Sequence, residues 1–161
     1  MMFLSRKSFW TFSASLVSLV TAASFSFAQV LESVTSQIVY VPSYSRVLTQ
    51  EGRSEPLAST LVVHNVDPKS GISVERVEYY DRTGQLLETL VNEPVTLTPF
   101  GSMNALVPID STGDGIGANF LVTWSSEVPV LPPIVEAIMV GGSGTQGISF
   151  TSRGQVLSQT P

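Results

Sequence analysis

The chain contains no cysteine. That removes disulfides, thiol catalysis, every thiolate metal site and the lipid-attachment cysteine of a bacterial lipoprotein. A single histidine, His64, stands in 161 residues. One imidazole leaves a zinc site short of ligands. No serine lies in a G-x-S-x-G elbow. Lys and Arg number eight against 13 Asp and Glu. An acidic surface repels nucleic acid and anionic membranes alike. After the first 28 residues no apolar run is long enough to span a bilayer, because "VPVLPPIVEAIMVG" is broken by Pro129, Pro132 and Pro133. No segment shows a capped helical period either.

The opening residues read as an address. Arg6 and Lys7 form a positive region, Phe9 to Phe25 is apolar and diluted by Ser and Thr, and Ser26 and Ala28 precede Gln29 with the small-residue spacing of a cleavage site. Residues 1–28 are therefore expected to be a secretory signal peptide, with a periplasmic or secreted mature chain. Losing Arg6 and Lys7 leaves six basic side chains against 13 acidic ones, a charge of −7. What remains is enough for one domain with a real core.

The rest is short runs of Val, Ile, Thr, Tyr and Phe between turn residues that recur about every ten positions. "SQIVYV", "ASTLVVHNV", "ISVERVEYYD", "SMNALVPID", "ANFLVTWS", "PIVEAIMVG" and "GISFTS" all read as strands. This pattern predicts an all-β fold, an immunoglobulin-like antiparallel β-sandwich of about seven to nine strands over residues 37–154. A loose arm (29–36) should precede it and a frayed C-terminal tail (155–161) should follow. Phe120, Val122 and Trp124 should share the core face of one strand, with Asn119, Leu121 and Thr123 opposite. In "ISVERVEYYD", alternation puts Val74, Arg76, Glu78 and Tyr80 on one side and Glu75, Val77 and Tyr79 on the other.

Taken together and in order, "IVYVPSYS", "VEYYDRTG", "EPVTLTP", "GANFLVTW", "PPIVEAIMVG" and "GISFTSRG" resemble the bacterial family known as domain of unknown function 3124. The resemblance runs from about Ile38 to Gly154. It implies an exported bacterial protein with one β-rich domain, and it brings no catalytic residues. His64 and Val66 in "LVVHNVD" depart from the arginine and threonine usual there, and Asp114 departs from a glycine- and serine-rich turn.

The candidate sites are few. In "DSTGDGIGANF", Asp110, Thr112, Asp114 and Gly115 have the spacing of the first half of a calcium loop. Position 12 falls on Leu121 instead of glutamate, so a hairpin turn competes with a Ca²⁺ site built from Asp110, Asp114 and Asn119. Gly113, Gly115 and Gly117 do not open a helix, as a dinucleotide loop must. Gly142 to Gly147 has P-loop glycine spacing with Ile148 in place of lysine. Glu78 beside two tyrosines suits sugar stacking or a general acid, and Glu136 interrupts an apolar run. Arg76 or Arg153 could pair with either glutamate. A glycosidase would need both carboxylates across a cleft. Tyr40, Tyr44, Tyr79 and Tyr80 offer flat amphipathic surfaces for an interface.

The leading expectation is an uncharacterised, non-enzymatic exported domain, without cofactor, that binds an envelope protein or other envelope component. The alternatives are a small-ligand or Ca²⁺-binding sensor and a hydrolase using a carboxylate pair or His64.

Overall fold

In the computed structural model, residues 32–109, 116–142 and 147–161 are described. Leu31–Pro161 forms one unit. The described residues hold eleven strands: β1 Val34–Ser43, β2 Arg46–Gln50, β3 Arg53–His64, β4 Ile72–Tyr80, β5 Leu86–Val91, β6 Val95–Leu97, β7 Ser102–Val107, β8 Ala118–Val130, β9 Ile134–Gly141, β10 Ile148–Arg153 and β11 Gln155–Thr160. Among them no helix is long and apolar enough to cross a membrane.

The strands make two antiparallel sheets. The first runs β11-β1-β8-β4-β5, with β6 also on β4. The second runs β10-β9-β3-β2, with β7 also on β3. Their inward side chains form one core in a sandwich-like arrangement. Phe120, Val122 and Trp124 all point into it, and Trp124 is fully buried. Tyr79 packs at a tilt against Phe120, its register partner across β4 and β8, with ring centroids 5.1 Å apart. Burying side chains of this size contributes roughly 1.5–3 kcal/mol each. Inside the core, the Ser43 hydroxyl on β1 donates to Ser59 on β3 at 2.8 Å, tying one sheet to the other.

The strand count exceeds the seven to nine expected because one long strand in each sheet is flanked on one edge by two short ones. β5 and β6 share an edge of β4; β2 and β7 share an edge of β3. The expected tail is also a strand. Gln155–Thr160 is β11, paired with β1, and Val34–Ser36 of the expected arm lies within β1. Every residue of β11 is exposed. A strand with every side chain exposed leaves no apolar alternation to read.

Alternation also misplaced Val74. It is buried alongside Val77 and Tyr79. Val74 faces Trp124 and Arg76 faces Thr123, so Glu75 is an extra residue in a β-bulge that resets the side-chain parity.

Gly154 is where the chain crosses from β10 in the second sheet to β11 in the first. Its N–H donates to the Val135 carbonyl at 2.8 Å. A Cβ there would lie 2.5 Å from Val39 Cγ1 and 3.0 Å from the Val135 oxygen, so any side chain would force its neighbours to shift.

Candidate binding hollow on the second sheet

Three residues that stand far apart in the sequence meet on the second sheet. β3 ends with His64 on its outward face, between Ile134 of β9 and Ser102 of β7. Glu136 on β9 faces outward and stands directly opposite Arg153 of β10. His64, Glu136 and Arg153 line one hollow of about 370 Å³ with Ile134, Val66 and Phe100.

Phe100 is the residue that sequence reasoning missed. It is 72% exposed and has φ +60°. The Gly101 N–H donates to the Thr98 carbonyl at 2.8 Å, closing a four-residue turn over Thr98-Pro99-Phe100-Gly101. Proline in second place and positive φ in third define a type II turn, whose third residue is ordinarily Gly or Asn. A bulky side chain in that conformation is strained by about 1–3 kcal/mol, and such strain clusters at functional sites. The sequence signal is the pair Pro99 and Gly101 bracketing a residue ill suited to its place.

Asn65 anchors this turn. Its side-chain amide donates to the carbonyls of Ser70, Thr98 and Leu97 at 2.9, 3.0 and 3.3 Å. Its backbone N–H donates to Gly101. Its Oδ1 accepts from the Asp67 N–H, and the Asp67 carboxylate accepts from the N–H groups of Lys69, Ser70 and Leu131. These backbone donors, with that of Lys69 foremost, hold the Asp67 carboxyl below its ordinary value. The segment after His64 is therefore a fixed support.

The hollow lies at one end of a wider face of mixed character. Outward rows across the second sheet read Thr151–Ile138–Thr60–Leu106, Arg153–Glu136–Val62–Asn104 and Ser149–Val140–Ala58. Leu106, Val140 and Ile134 are 55%, 46% and 40% exposed. Its rim strand β7, "SMNALV", carries no charge and no bulge. Charge and bulges are the usual guards of a sheet edge.

The other candidates fall elsewhere. Tyr40 and Tyr80 share the outer face of the first sheet, diagonally across β8, with Leu121 and Asn119 between them. Tyr79 is 1% exposed and belongs to the core, not to a surface. Strand alternation sends the two rings of "YY" to opposite faces, and Phe120 receives this one. Tyr44 packs on Phe150 near the far edge, centroids 5.8 Å apart. The four tyrosines thus do not form one patch.

Glu78 is already engaged. Its carboxylate accepts from Arg76 Nε at 2.8 Å and from the Tyr80 hydroxyl at 3.1 Å. Burial, and then Glu78, push the Tyr80 phenol above its ordinary value. Asn119 faces Pro42 and Tyr80, while Asp110 and Asp114 lie outside the described residues. Among the described residues no three His, Cys, Asp or Glu side chains are placed to hold a metal ion. A second groove of about 530 Å³ follows the Glu75 bulge, where Ser125 donates to Glu75 at 2.7 Å and Ser126 to the Gly71 carbonyl at 3.0 Å.

Fold and topology define an all-β domain with two antiparallel sheets, the outer face of the second carrying exposed Leu106, Ile134 and Val140. Residues 36–157 match the family described as Protein of unknown function (DUF3124), and the chain belongs to that family. The crystal structure of Thermotoga maritima 1070 is a distant structural neighbour at 12% identity and TM-score 0.42, covering 74% of this chain and 92% of that one. No curated protein matches the chain.

Proposed function

We propose that this protein is an exported, non-enzymatic binding domain of the bacterial envelope, an immunoglobulin-like sandwich that holds a protein partner on the outer face of its second sheet. The observation that carries this reading is Phe100, an exposed aromatic kept in a strained conformation at the margin of that face. Exposed aromatics are the commonest anchors of protein interfaces. The face adds exposed Leu106, Ile134 and Val140 around a row that carries Glu136 and Arg153. On an otherwise acidic chain, a partner of complementary apolar shape gains most there. Export is supported by the pattern of residues 1–28.

A binding role also fits the state of the polar side chains. Glu78 is paired with Arg76 and Tyr80. His64 stands opposite Ser102 in register, but no hydrogen bond joins them to make a nucleophile and its base.

The test is retention of the exported protein on its own envelope fraction. A Leu106→Glu/Val140→Glu variant should lose retention, while Leu87→Glu on the other sheet should keep it. Equal retention of the wild type and both variants would reject the second-sheet face as the contact surface.

A further inference from the structure

We propose that the hollow beneath Phe100 is a binding site for a small zwitterion, a free α-amino acid with an apolar side chain. The argument begins with a pair that does not close. Glu136 and Arg153 are direct register partners on β9 and β10. Neighbouring strands lie about 4.8 Å apart, well within reach for two long side chains. Elsewhere in the protein Arg–Glu pairs two residues apart on one strand do close, Arg76–Glu78 at 2.8 Å and Arg53–Glu55 at 3.4 Å. Glu136 and Arg153 form no ion pair, yet both line the hollow. The guanidinium fork and both carboxylate oxygens keep their hydrogen-bonding capacity for a third party.

The class of ligand follows from the charges. A simple anion drawn to Arg153 meets Glu136 beside it. A simple cation drawn to Glu136 meets Arg153. A molecule with an ammonium and a carboxylate on adjacent atoms satisfies both at once. Of the remaining lining residues His64 and Asn65 are polar, while Phe100, Ile134 and Val66 are apolar and suit a hydrocarbon or aromatic side chain. The volume is also in the range of small-ligand sites, about 300–1,000 Å³. Asn65 supplies rigidity without competing for the ligand, because its amide already serves three carbonyls. This site does not depend on what covers the rest of the face.

The experiment is a ¹H–¹⁵N NMR titration of the exported protein with phenylalanine and leucine, beside N-acetylphenylalanine and phenylalanine amide. The free amino acids should give saturable shifts confined to residues around His64, Phe100, Glu136 and Arg153. Blocking either charge should weaken binding by about tenfold or more, the worth of one charge-assisted contact. Arg153→Gln should abolish the preference for the free acid over its amide. Glu136→Gln should abolish the preference for the free amine over its acetyl form. Both substitutions sit on the outward face, and unchanged core resonances would show that the fold survives. Two outcomes would overturn the proposal: no saturable shift with either amino acid up to its solubility limit, or equal binding of the blocked and free forms. Neither outcome bears on retention by the envelope fraction, which Leu106 and Val140 test separately.

Discussion

Asn65 and Phe100 are coupled through a single turn. The Asn65 side chain donates to the Thr98 carbonyl at 3.0 Å, and the same carbonyl accepts from Gly101, closing the turn that lifts Phe100 into solvent. Asn65 is 1% exposed and Phe100 is 72% exposed. One supports what the other presents, which separates their mutational consequences.

Phe100→Gly should raise stability while weakening binding. Glycine takes φ +60° without the steric cost that phenylalanine bears, and the exposed ring has little packing to lose. The expected gain is about 1 kcal/mol in denaturant unfolding. A loss of stability would make Phe100 a structural residue.

Asn65→Ala should destabilise the fold by about 1–3 kcal/mol, because it removes the donor from buried carbonyls of the turn and the following loop. Chemical unfolding measures it directly. A neutral result would mean that the turn holds its shape unaided.

Gly154→Ala should also destabilise, by roughly 1–3 kcal/mol as for other overpacked sites. The new methyl would press on Val39 and on the Val135 carbonyl, at the point where the chain passes between sheets. Hydrogen exchange should show the loss first in β11, whose own side chains are all exposed.

Stability should fall on acidification. The carboxyls of Asp67 and Asp81 are both lowered, Asp67 first by the Lys69 backbone N–H and Asp81 first by the Thr83 hydroxyl. A lowered folded value means that the contribution is full above the ordinary value of 3.8 and is lost as pH falls through the folded one. Unfolding midpoints measured from pH 7 down to about 2 should drop below about pH 4. Asp67→Asn should flatten part of that decline. An unchanged acid limb in this variant would contradict the role given to Asp67.

How much of this was legible beforehand depended on range. The β8 segment announced its core face because Phe120, Val122 and Trp124 alternate without interruption. The β4 segment did not, because the Glu75 bulge exists only in its pairing with β8. β11 looked like a tail because every one of its side chains faces water. His64, Glu136 and Arg153 each stood out as isolated candidates, but they sit on β3, β9 and β10, and only strand order brings them together. Phe100 was hidden for another reason. Its turn type is set by φ, and Pro99 and Gly101 signal a turn without telling that phenylalanine takes the positive φ in it.

Site-specific photo-cross-linking in living cells tests the central claim most directly. A cross-linking side chain would replace Leu106 on the second-sheet face, and Leu87 on the opposite sheet would serve as control. The account predicts a discrete adduct from position 106, absent from position 87 and lost when Val140→Glu is added. Adducts from position 87 alone, or the same adduct from both positions, would contradict it.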